Sequence, residues 1–71
     1  MTDTIAFEIA ITKSQLSKKA VAKALGISSM SLIRKASNIT EFKASEISKL
    51  VEILKLNNKE RDKIFFAQFV D

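Results

Sequence analysis

Apolar and polar positions along the chain fall into five short pieces separated by turn signals. The clearest is the run from about Ala44 to Leu56. There Ile47, Leu50, Val51 and Leu54 stand at i, i+3, i+4 and i+7, a spacing that places all four on one face of a helix. The piece "SKKAVAKALG" opens on Ser17, a good N-cap. Val21, Ala24 and Leu25 form its apolar stripe, and Gly26 supplies a left-handed C-cap. The next piece begins at Ser28 and runs to about Ser37, with Asn38 as its terminator. The last, "NNKERDKIFFAQFVD", starts at Asn57 or Asn58. Asn57 and Glu60 there have capping-box spacing, with asparagine in place of serine or threonine.

The first piece, "TDTIAFEIAITKS", admits two periods. Ile5 and Ile9 are four apart, as are Phe7 and Ile11, which predicts a helix capped by Asp3 or Thr2 and apolar nearly all round. The same residues, Ile5, Phe7, Ile9 and Ile11, also alternate as in a strand. A lone strand has no pairing partner elsewhere in the chain, so helix is the reading adopted. The expectation is one all-α domain over residues 1–71. Its predicted interior holds Val21, Ala22, Leu25, Ile27, Leu32, Ile47, Leu50 and Leu54.

Composition agrees with this pattern and narrows the chemistry. The chain has 71 residues, no proline, one glycine and 46% hydrophobic residues, which favours helices joined by short turns. It contains no cysteine and no histidine. The commonest metal ligands and the commonest general base are therefore missing. No glycine-rich phosphate loop and no acid pair at metal-ligand spacing is visible, so no catalysis, metal or cofactor is expected. No apolar run approaches the roughly 18 residues of a membrane span, and no basic region followed by a long apolar one suggests a signal peptide. The expected location is the cytoplasm.

Charge is unevenly spread. Lys13, Lys18, Lys19, Lys23, Arg34, Lys35 and Lys43 face a single acid, Glu41, between residues 13 and 43, for a segment charge of +6. The remainder carries −2. A basic segment on a near-neutral body points to a polyanionic partner, or to a solvated lysine-rich face.

Ala22, Gly26, Ile27 and Leu32 carry the most specific signal. Two helices that cross steeply across a very short turn need a small residue at the approach, here Ala22, and a positive φ in the turn, here Gly26. Ile27 and Leu32 then fill the angle between them. In these residues "LSKKAVAKALGISSMSL" resembles the phage repressor and Cro-like helix-turn-helix family. Leu16, Ser17, Ala22, Leu25, Gly26, Ile27, Ser28 and Leu32 satisfy its pattern. Phe42, Glu46-Ile47 and "KIFFAQFV" extend the likeness to small phage-encoded regulators, short five-helix domains of the lambda-repressor-like type. Coverage runs from about residue 14 to the end.

The resemblance implies that the third helix enters the major groove of double-stranded DNA. Ser28, Ser29, Met30 and Arg34 would then face base edges, with Arg34 suited to guanine. Lys18, Lys19, Lys35 and Lys43 would hold the backbone. Specificity would require a homodimer on two half-sites. The family includes a second role, the antirepressor, which binds a partner repressor protein and modulates its DNA contacts. Met30 and Ile33 would anchor that partner, while the tail phenylalanines Phe65, Phe66 and Phe69 are the candidate interface for a homodimer. Three departures bear on the choice. Lys18 stands where the family often has glutamine. Met30 and Ile33 stand where its reading helix is usually polar. Lys43 occupies the probable cap of the fourth helix, which suggests a frayed start or a lysine kept free. With Leu32 pointing inward, Ile33 about 100° away and Met30 about 200° away cannot both share its face, so at least one is expected to be exposed.

Overall fold

A computed structural model describes residues 1–66. They form five α-helices: α1 (Thr4–Ser14), α2 (Lys18–Leu25), α3 (Ser29–Ala36), α4 (Ala44–Ile53) and α5 (Asn58–Phe65). No strand occurs among the described residues. The Cα radius of gyration is 11.0 Å, close to the roughly 11 Å of a compact globule of this length.

Side-chain caps set most of the helix starts. The Asp3 carboxylate accepts the Ala6 amide at 3.0 Å, the Ser17 hydroxyl accepts that of Ala20 at 3.0 Å, and Ser28 accepts that of Ser31 at 3.1 Å. Asn57 and Glu60 exchange bonds of 2.8 and 3.0 Å, a complete capping box. Each cap satisfies an amide that the first turn would leave unpaired, worth about 1 kcal/mol. Helix α4 starts differently. Lysine has no acceptor to offer, so at Lys43 the reciprocal half alone is made: Glu46 Oε1 accepts the Lys43 amide at 2.8 Å. Helix α4 also ends earlier than its hydrophobic pattern, at Ile53. Lys55 turns left-handed with φ +53°, and Leu54 and Leu56 remain buried beyond the helix end.

Helix wins over strand in the first piece because α1 has a core to meet. Phe7, Ala10 and Ile11 are buried with Val21, Leu25, Leu32, Leu50 and Ile64 in one cluster. Phe7, Leu32, Leu50 and Val21 are almost fully enclosed, and each contributes about 1.5–3 kcal/mol through burial. Three rings lock the α1 side to the α4 and α5 side. Phe7 lies 5.7 Å from Phe42 and 6.3 Å from Phe65 between centroids, and Phe42 lies 5.5 Å from Phe65. Phe65 is thus a core residue, which removes it from the expected partner-binding set: its ring is used up in edge-on contacts that close the fold. Ile27 and Ile47, expected inside, are half-buried at the rim of the cluster, and Ala24 is exposed.

The N-terminal residues are tied to both α5 and the end of α3. The Asp3 amide donates to the Ile64 carbonyl at 2.7 Å. Asn38, at φ +66°, accepts the Thr2 amide at 2.7 Å and donates to its carbonyl at 3.0 Å. Thr4 donates to the Ala36 carbonyl at 2.6 Å. These bonds fix the exit of α3 against the entry of α1, which holds the outward face of α3 in place.

Candidate recognition surface on the third helix

Three residues, Gly26 to Ser28, separate α2 from α3. Gly26 sits at φ +78°, a left-handed conformation that costs a side chain about 1 kcal/mol or more. It lets the Ile27 amide reach back to the Ala22 carbonyl at 3.0 Å, closing α2. Ala22 is buried where the chain reverses. Ser28 then caps α3 directly. The turn is therefore short and internally bonded, and it fixes how α3 is rotated about its axis.

That rotation buries Leu32 and Ala36 and turns Ser29, Met30, Ile33 and Arg34 outward. Met30 is 56% exposed and Ile33 45%. Both apolar residues of the pair face solvent, where the helical wheel required only one. Ser28 and Ser29 are exposed at the start of the helix, with the Ser28 oxygen committed to its cap. The Arg34 side chain makes no hydrogen bond or ion pair among the described residues and is exposed. Ile39, just past the helix, is also exposed; its sequence position in a polar loop concealed it.

The lysines expected to grip a phosphate backbone are placed differently. Lys35 is drawn inward, and its ammonium lies 3.0 Å from Glu46 Oε1, with the two side chains 13% and 12% exposed. It also donates to the Glu41 carbonyl at 3.2 Å and stands 6.0 Å over the Phe42 ring. Lys35 is thus a clasp between α3 and the start of α4, which corrects its expected role as a backbone contact. Burial works to raise the Glu46 pKa. The Lys43 amide, the Lys35 hydrogen bond and the charges of Lys35 and Lys43 outweigh it, and the net shift is downward. Lys18 pairs with Glu8 at 2.8 Å, both about half exposed. Such a pair is worth little to stability, but it neutralises Lys18 toward a distant anion. Lys43 remains exposed at the α4 start, its backbone held by Glu46 rather than frayed.

Phe66, also expected to bind a partner, is half-buried and lines a cleft between α4 and α5 with Phe42, Ile47, Val51 and Arg61. That cleft is separate from the α3 face. Phe69 lies outside the described residues. No group of three or more acids, cysteines or histidines that could hold a metal occurs among the described residues, and no helix there is long and apolar enough to cross a membrane. Comparison with family models, with curated proteins and with solved structures gives no match.

The surface on α3 thus combines two apolar side chains, one unpaired guanidinium and two serines. Sequence reasoning named all five. It missed the Lys35–Glu46 clasp, although one signal pointed to it: a cap position without an acceptor, followed three residues later by a glutamate, implies that this glutamate is engaged locally.

Proposed function

We propose that this chain is a small phage-type regulator of transcription with a helix-turn-helix fold, and that it acts as an antirepressor by docking the outward face of α3 on a partner repressor. The observation that carries this reading is the joint exposure of Met30 and Ile33 on one face of α3, beside Arg34. Apolar anchors ringed by polar and charged groups are the usual centre of a protein interface. A face meant for a duplex relies on cations free to meet phosphates, and here Lys35 is held by Glu46 and Lys18 is offset by Glu8.

The second reading, a Cro-like repressor that binds operator DNA as a homodimer, draws on Arg34. Its guanidinium, unpaired among the described residues, projects from the last turn of α3 and is of the type that suits guanine, and exposed Lys19, Lys23 and Lys43 would add phosphate contacts. One bidentate pair gives about 1–3 kcal/mol of discrimination, too little for a monomer to select a genomic site.

The separating experiment measures affinity of the purified chain for DNA and for a repressor from the same type of switch, across a range of salt. The antirepressor reading expects a saturable protein complex that Met30→Gln and Ile33→Gln each weaken about tenfold or more, the equivalent of about 1.4 kcal/mol, with thermal melts unchanged. Tight operator binding by the chain alone, falling steeply with salt, together with no repressor complex, would replace it with the Cro-like reading.

A further inference from the structure

The outward side of α1 is as apolar as the side it buries. Ile5 is 75% exposed and Ile9 52%, one helical turn apart, and Thr12 continues the same line. These three stand at the d, a and d positions of a heptad, the seam along which two parallel helices pack. Glu8 and Lys13 flank the seam on opposite edges, at g and the following e, five residues apart. That is the spacing across which parallel helices form interhelical ion pairs. An antiparallel pair with Ile5 set on Ile9 would bring the two Glu8 side chains together and leave Lys13 without an acid opposite it.

The edge on the Lys13 side is also shaped to receive a neighbour. A groove of about 180 Å³ runs between α1 and α5, floored by Ala6, Ala10 and Ile64. Lys13 and Lys63 stand at its rim against a single acid, Glu60. A glutamate arriving from a second copy meets two cations and one anion there. Glu8 already pairs with Lys18 through Oε1, so the contact would extend that pair into a small network.

We infer that the occupant of this face is a second copy of the chain, with the two α1 helices packed in parallel, Ile5 on Ile5 and Ile9 on Ile9, and Glu8 of each copy set against Lys13 and Lys63 of the other. The seam is short, so the dimer belongs to the weak, transient class of interfaces. Its Glu8 edge adjoins Ile33 of α3 across a shared pocket, but the seam itself is built from α1 and does not rest on the proposed function.

The chain has no cysteine, so single cysteines report the packing directly. Ile9→Cys and Ile5→Cys, oxidised separately, are expected to form linked dimers faster than Ala20→Cys on the exposed side of α2. Mixed Ile5→Cys and Ile9→Cys proteins, one isotope-labelled, are expected to yield like pairs over mixed pairs by mass spectrometry, because bridged Cα atoms must lie within about 7 Å. Sedimentation equilibrium of the unmodified chain is expected to show reversible dimers, weakened about tenfold or more by Ile5→Lys or Ile9→Lys, a loss on the scale of an interface anchor. Lys13→Glu is expected to weaken them about twofold to fivefold, as for an exposed ion pair. Melting temperatures report whether each variant folds, and the more exposed Ile5 serves where Ile9→Lys does not. A chain that stays monomeric to about 1 mM, the weak end of specific association, overturns the inference. So does a predominance of mixed pairs, or linking at Ala20→Cys as fast as at Ile9→Cys.

Discussion

Lys35→Met separates a lysine that holds the fold from a lysine that holds a partner. Methionine keeps an unbranched side chain beside Phe42 and removes the ammonium. Glu46, 12% exposed, then keeps only the Lys43 amide at 2.8 Å as a bonded partner, and the Glu41 carbonyl loses the 3.2 Å donor. A hydrogen bond to a charged group contributes about 1.5–3 kcal/mol; residual exposure of the pair sets the expected loss near 2 kcal/mol. For a domain of this size each kcal/mol moves the melting temperature by about 4–8 °C, so a fall of about 8–16 °C is expected. Circular dichroism melts and urea titrations at pH 7 measure it. Adding Glu46→Gln to Lys35→Met tests the cause, because the neutral amide still accepts from Lys43 while the stranded charge is gone. The double variant is expected to regain about half of the loss, a coupling that independent sites do not show. If Lys35→Met melts within about 2 °C of the parent, or if the two changes simply add, the clasp is not a stabilising contact and Lys35 returns to the set of candidate phosphate contacts.

The same clasp predicts a pH dependence. Because Glu46 titrates lower in the fold than in the open chain, its contribution is complete above the ordinary carboxylate range and is lost as pH falls through the folded-state value. The stability difference between the parent and Glu46→Gln, followed by urea titration from pH 7 to pH 2, is therefore expected to shrink in acid; a constant difference would show that charge is not involved. Ala22→Leu is expected to cost about 1–3 kcal/mol by overpacking the α2–α3 approach, out of roughly 4–11 kcal/mol for a chain of this length. A variant that melts with the parent would mean the helices tolerate separation there. Arg34→Ala is expected to reduce the ratio of operator to random-DNA affinity if the Cro-like reading holds, and to leave that ratio unchanged if the chain works on protein alone.

Local chemistry made most of the fold legible. Asp3, Ser17, Ser28 and Asn57 begin helices because each has a side-chain oxygen placed to meet an orphan amide, and that depends on nothing distant. Gly26 ends α2 for an equally local reason. Helix periodicity placed Val21, Leu25, Leu32 and Leu50 inside. It overstated Ile27 and Ile47, which sit at the margin of a small core that cannot cover everything apolar. It could not decide which side of α1 goes inward, since both are apolar. Phe7 and Ile11 win because Phe7 has Phe42 and Phe65 to pack against, a contact between residues 35 and 58 positions apart that no window along the chain contains. The early end of α4 is of the same kind: Leu54 and Leu56 are both buried, which a helix running through both would not allow with Lys55 between them turning left-handed.

Charge was the least legible property, for a physical reason. A formal count treats every lysine between residues 13 and 43 as available to a polyanion, but availability depends on where the acids of other segments fold. Glu46, from α4, takes Lys35; Glu8, from α1, takes Lys18. Neither acid lies within the basic segment, so its charge of +6 overstates the field at the α3 face. Apolar residues behave in the opposite way. Among the described residues Met30 and Ile33 stay exposed, and an exposed methyl group has no distant partner that could cancel it as an anion cancels a cation. The apolar part of the α3 surface therefore passes from sequence to structure undiminished while its basic part is reduced. That asymmetry shifts the weight from DNA toward a protein as the partner of this face.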